Sequence, residues 1–106
     1  MKYINITPKA DGDIDQCYEW ICKKNPDAAR RFLASVERAC AIVAEMPGIG
    51  SPRYADISLI RGVRMTKVGK GFENYLVFYV EREASVDVIR VLHSARNISE
   101  ALQELE

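Results

Sequence analysis

The chain's single histidine, His93, lies in the stretch VIRVLHSARN (residues 88–97), three residues after Arg90 and three before Arg96. An imidazole between two guanidinium groups has the makings of acid–base chemistry, because histidine titrates closest to neutrality. Two observations weigh against a self-contained catalytic centre. No aspartate or glutamate stands at a triad-like spacing from His93, and no second histidine exists to share a metal. The GKG at 69–71 lacks the spacing of a phosphate-cradling loop and reads as a hairpin turn. His93 is therefore read as an architectural residue at the edge of the core, and Arg90 as a functional contact. Arg96 is either a solvated arginine beside a helix start or a contact with a partner.

The elements around these residues must place them. A chain of 106 residues has room for a single domain, 1–106. It lacks an apolar run of membrane-spanning length, and its N-terminus, MKYINITPK, turns polar too soon for a signal peptide, so a cytoplasmic protein is expected. Cys17, Cys22 and Cys40 form no C-x-x-C pair, and all three fall in helical patterns. They read as small packed thiols rather than as disulfides, metal ligands or nucleophiles. No cofactor is expected. Fifteen basic residues balance fifteen acidic ones, whereas a protein gripping a nucleic-acid backbone carries a basic excess. Sequence-specific nucleic-acid binding is not expected. Any basic patch must be local, and Arg61, Arg64, Lys67 and Lys70, between Asp56 and Glu73, form the one candidate.

Residues 2–7 read as a strand that runs into Thr7-Pro8, a cap followed by proline at the first helical position. Ala10, Ile14, Cys17, Tyr18 and Ile21 recur at helical spacing through Lys24, with Asp11, Asp13 and Asp15 near the positive end of the dipole. Asn25-Pro26 repeats the cap and opens a second helix with the stripe Ala29, Phe32, Leu33, Val36, Cys40 and Val43. MPGIGSP stops it near Met46. The two helices make an antiparallel hairpin. Three strands follow, at 59–68, 72–82 and 85–94, and then Asn97 with Glu100 forms a capping box before a helix bearing Ile98, Leu102 and Leu105. The expected fold is α+β in the order β-α-α-β-β-β-α, with the hairpin on one face of a small, mainly antiparallel sheet.

A helical hairpin covers one sheet face, so strand parity predicts what the other presents. Phe72, Leu76, Phe78 and Val80 fall on one side and Tyr75, Val77 and Tyr79 on the other. The first set is read as core, together with Val63, Met65, Ile89, Val91 and His93. An unpaired arginine is costly in a core, so Arg90 and Arg64 are assigned outward. The expectation is an open face carrying Tyr75, Tyr79, Arg64 and Arg90 around Val77, Val88 and Leu92, a composition suited to protein recognition. A single bulge inverts any of these assignments.

In order and spacing, several segments resemble the RelE/ParE superfamily of type II toxin–antitoxin toxins, and within it the ParE branch. They are TPKADGDIDQCYEWICKKNPDAARRF (7–32), MPGIGSPR (46–53), RGVRMTKVG (61–69), YLVFYV (75–80) and IRVLHSARNI (89–98). The resemblance implies a toxin that binds and inhibits DNA gyrase without enzymatic activity, with a part in plasmid stabilisation. It also implies a cognate antitoxin held in a hetero-oligomer, such as two toxins with two antitoxins. Target or antitoxin contacts are then expected at Arg61, Arg64, Tyr75, Tyr79, Arg90 and Arg96. RelE-like relatives instead cleave ribosome-bound mRNA, and a reduced nuclease site here would consist of Arg64, Arg90 and His93. In-line attack by a ribose 2′-hydroxyl needs a base, charge stabilisation at phosphate and a proton donor. Where RelE-type enzymes carry arginine after the last strand and tyrosine in the final helix, this chain has Ser94 and Glu100, and a glutamate there repels phosphate. A relative that keeps its antitoxin but has lost toxicity is the third reading.

Overall fold

The computed structural model describes residues 2–55 and 60–103. Strand β1 (Tyr3–Ile6) leads into helices α1 (Pro8–Lys24) and α2 (Pro26–Glu45), and a 3-10 turn follows at Pro47–Ile49. Strands β2 (Arg64–Lys67), β3 (Tyr75–Glu81) and β4 (Ser85–His93) and helix α3 (Ile98–Gln103) complete the chain. The expected order of elements is found. The part of the first predicted meander strand before Ile60 lies outside the described residues, as does Leu105.

Each helix starts where the caps place it. The Thr7 hydroxyl accepts from the Ala10 N–H at 3.3 Å and donates to the Val88 carbonyl at 2.9 Å, so one side chain caps α1 and ties it to β4. Asn25 accepts from the Ala28 N–H, and Asn97 accepts from the Glu100 N–H, both at 3.1 Å. The Asn97 amide then bonds the Glu100 carboxylate rather than leaving it to the backbone, a variant of the capping box.

The four strands form one mixed sheet in the order β1-β4-β3-β2, with β1 parallel to β4 and the other pairs antiparallel. The α1–α2 crossover carries the chain from β1 at one edge to β2 at the other and lays the hairpin over one face, and the β2-β3-β4 meander then brings β4 back beside β1. Beneath it lie Phe32, Val36, Cys40 and Val43 from α2, and Val77, Tyr79, Val86, Val88 and Val91 from the sheet.

The predicted open face does not exist. The second face carries its own core: Leu76, Phe78, Val80, Ile89 and Leu92 pack against Val63 and against Ile98, Ala101 and Leu102 of α3. Tyr54 closes it, with its ring 5.6 Å from that of Phe78. The two sides of β3 are the reverse of the parity assignment, since Tyr75, Val77 and Tyr79 face the hairpin while Leu76, Phe78 and Val80 face α3. Both sides of β3 are apolar because both are buried, so alternation in that strand cannot say which side the hairpin covers. A register shift at Phe78/Tyr79 completes the inversion: Tyr79 pairs with Val88 and Phe78 with Arg90, which leaves Ile89 between them.

Candidate protein-binding surfaces

The three groups of the conceivable nuclease site are not brought together. Register puts Arg64 opposite Tyr79, on the hairpin side, and Arg90 opposite Phe78, on the α3 side. His93 pairs with Tyr75 at the far end of β3. Each of the three is also engaged elsewhere.

Arg90 is buried at 2% exposure, which corrects its assignment to an open face. Its Nε and Nη2 donate to the two carboxylate oxygens of Asp13 at 2.6 and 3.0 Å, and its Nη1 donates to the Ala101 carbonyl at 3.1 Å. Asp13 Oδ2 also accepts from the Val91 N–H at 3.1 Å. The placement follows from the sheet. β1 accompanies β4 only as far as Val88, so the outer edge of β4 is unpaired beyond that point. Asp13 takes the place of the missing strand there, and Arg90 joins α1, β4 and α3 at one buried point. The arginine needs a partner, as expected, but that partner lies 77 residues away on α1. It is Asp13, which the sequence presents only as one of three acids serving the helix dipole.

Tyr79 and Arg64 hold the turn after α2. The Tyr79 side chain is fully buried, so it too is absent from any open face. Its hydroxyl donates to the Pro47 carbonyl at 2.7 Å and accepts from the Gly50 N–H at 2.8 Å. Arg64 Nη1 donates to the Gly50 and Gly48 carbonyls at 2.7 and 3.3 Å. This explains MPGIGSP in physical terms, since a Cβ on Gly50 would lie 2.4 Å from the Tyr79 hydroxyl oxygen. Gly50→Ala is expected to destabilise the fold by about 1–3 kcal/mol through overpacking. Tyr79→Phe should cost about as much by orphaning the buried Gly50 N–H and the part-buried Pro47 carbonyl. In the double variant the missing hydroxyl relieves part of the clash. Denaturant unfolding should therefore show a cost about 1 kcal/mol smaller than the sum of the single changes.

Among the described residues, two accessible surfaces flank α1, one on each side. On one flank, Ile14 joins Ile4 and Ile6 of β1 and Leu33, Val36, Cys40 and Ala41 of α2 around a mostly apolar groove of about 450 Å³, with Glu37 as its one charged lining residue. Leu33, expected in the core, is instead 37% exposed in this groove. β1 is an edge strand, so the groove lies beside an unpaired backbone edge. Tyr3, Ile42, Met46 and Ile49 are also exposed. On the other flank, Asp13, Gln16, Cys17 and Trp20 of α1 face Tyr75, Val91, His93 and Arg96 across a crevice of about 400 Å³. His93 meets the Tyr75 ring edge-on at 4.9 Å, and its Nδ1 accepts from the Ala95 N–H at 3.0 Å. Those are contacts of the architectural kind. Tyr75 is half-buried, and Arg96 and Arg61 are exposed.

Cys17 and Cys40 are held as protonated thiols by their surroundings. Cys40 is buried, Cys17 and Cys22 are half-buried, and all three are free. Burial, helped by Glu37, pushes the Cys40 thiol up to about 11. Burial and then Asp13 push that of Cys17 up to about 11 against the opposing charge of Arg96. No helix among the described residues is long and apolar enough to cross a membrane.

Arg64 and Arg90 are thus committed to the fold of a small α+β domain, and an apolar groove and an aromatic crevice flank α1. The chain belongs to the ParE toxin family of the type II toxin–antitoxin system parDE, whose family model matches residues 4–98. Its fold is that of a solved chain described as the chromosomal ParDE TA system from P. aeruginosa. The TM-score is 0.70 at 18% identity, over 88% of this chain and 96% of that one. No curated protein matches the sequence.

Proposed function

We propose that this chain is a toxin that inhibits DNA gyrase by binding it and that is neutralised by a cognate antitoxin. Family membership supplies the toxin–antitoxin setting. The observation that carries the non-enzymatic reading is the engagement of Arg64, Arg90 and His93. Arg64 is bound to the 48–50 turn, Arg90 to Asp13, and His93 to Tyr75 and Ala95, with the two arginines on opposite sheet faces. A guanidinium sealed against a carboxylate is poorly disposed to receive a scissile phosphate.

The apolar groove beside β1 supports the antitoxin half of the reading. Its aliphatic lining and unpaired strand edge suit an extended or helical segment with apolar side chains, a common mode of peptide capture. Two toxins with two antitoxins is the assembly we expect, in the cytoplasm. The purified chain should be titrated into a gyrase supercoiling assay and into a translating extract analysed by primer extension. Inhibited supercoiling with intact mRNA is the expected result. Cuts at ribosomal A sites with supercoiling unaffected would replace this reading with the nuclease one.

A further inference from the structure

We propose that the crevice between α1 and the end of β4 is a binding site for a small aromatic acid, a planar ring carrying a carboxylate. It lies on the flank of α1 away from the apolar groove.

Three observations define the ligand class. The first is size, since about 400 Å³ falls within the range of small-molecule sites and accommodates a bicyclic ring. The second is the lining. Trp20, the chain's only tryptophan, is 58% exposed at the mouth, an unusual place for the largest apolar side chain. Tyr75 and His93 meet edge-to-face in the opposite wall, and Cys17, Val91, Leu92 and Ala95 supply apolar contact. Aromatic walls favour a flat, polarisable guest.

The third is charge. Arg96 is exposed at the rim and has no ion-pair partner among the described residues. The nearby carboxylate cannot neutralise it, because both oxygens of Asp13 are taken up by Arg90 and by the Val91 N–H. Glu100 is held by Asn97 at the start of α3. A second cation, Lys24, is engaged 4.7 Å from the centre of the Trp20 ring and does not line the crevice, which leaves Arg96 as its one lining cation. The crevice thus offers ring surface inside and unspent positive charge at its edge, which selects an aromatic anion over a neutral or cationic ring.

The single tryptophan makes the test direct. The full chain is titrated with 2-naphthoate and, separately, with the neutral 2-naphthylmethanol. The indole Nε1–H resonance of Trp20 is followed by NMR, and affinity by calorimetry. Naphthoate should shift that resonance saturably and bind about fivefold tighter than the alcohol, or more. Arg96→Gln should erase this preference, and Trp20→Ala should weaken both probes by about tenfold. Both side chains are exposed, so neither variant should disturb folding. Absence of a saturable shift, equal affinity for the two probes, or a preference that survives Arg96→Gln would each overturn the assignment.

Discussion

Asp13→Ala should lower stability by about 3–5 kcal/mol, because it breaks a buried ion pair from one side. The change leaves the Arg90 guanidinium, 2% exposed, without its counter-charge, and deprives the Val91 N–H of its acceptor. Domains of this size have about 5–15 kcal/mol of stability in total, so the variant should be near unfolding at growth temperature. Thermal denaturation followed by circular dichroism should show a midpoint lower by on the order of 20 °C. Arg90→Ala should behave similarly for the mirror reason, a buried carboxylate left unpaired. The charge-free pair Asp13→Asn with Arg90→Met should lose only about 1–2 kcal/mol. The side-chain amide that replaces the carboxylate can still accept from the Val91 N–H, and no lone charge stays buried. Single variants that melt close to the parent would mean that the ion pair does not hold α1, β4 and α3 together.

The second large effect concerns the partner. Leu33→Glu should leave the fold intact, because Leu33 is partly exposed on α2, yet weaken antitoxin binding by about 30-fold or more. A second carboxylate beside Glu37 in this groove must be desolvated when an apolar segment enters, and the lining gives it no cation. Calorimetry with the cognate antitoxin reads this directly, with Glu19→Ala, exposed on α1 outside the groove, as a control. Unchanged affinity for Leu33→Glu would move the antitoxin to another surface.

What is legible in the sequence, and what is not, divides along the range of the interactions. Thr7-Pro8, Asn25-Pro26 and Asn97 with Glu100 are local signals, and a cap forms at each. The helical stripes of α1 and α2 are equally clear, because one side of each helix packs and the other does not. The sheet is harder. Its central strands are apolar on both sides, and the short α3 with Tyr54, Ile60 and Val63 buries the face for which parity finds no cover. The insertion at Ile89 then shifts the phase of β4, which no residue type in that strand announces. Arg90 fails as a surface marker for the same reason that it matters to the fold: its partner, Asp13, sits in a helix on the far side of the sequence.

The functional surfaces are the least legible. Leu33 follows Phe32 and widens the α2 stripe beyond what the sheet can cover, and that excess is the one sequence signal for the groove. Trp20 stands near the charged end of α1, and nothing marks it until α1 and β4 come together around the crevice. Arg61, Arg64, Lys67 and Lys70 form a patch along the sequence, but Arg64 turns in to bind Gly48 and Gly50.

Gyrase inhibition by the charge-free pair tests most directly whether this protein works through its surface rather than through buried arginine chemistry. The parent and the Asp13→Asn, Arg90→Met variant, both shown folded by circular dichroism, are titrated into the same supercoiling reaction. Inhibition by both, with half-maximal concentrations within about threefold, is the predicted result. A folded variant that no longer inhibits, or a parent that leaves supercoiling untouched while cutting ribosome-bound mRNA, would contradict it.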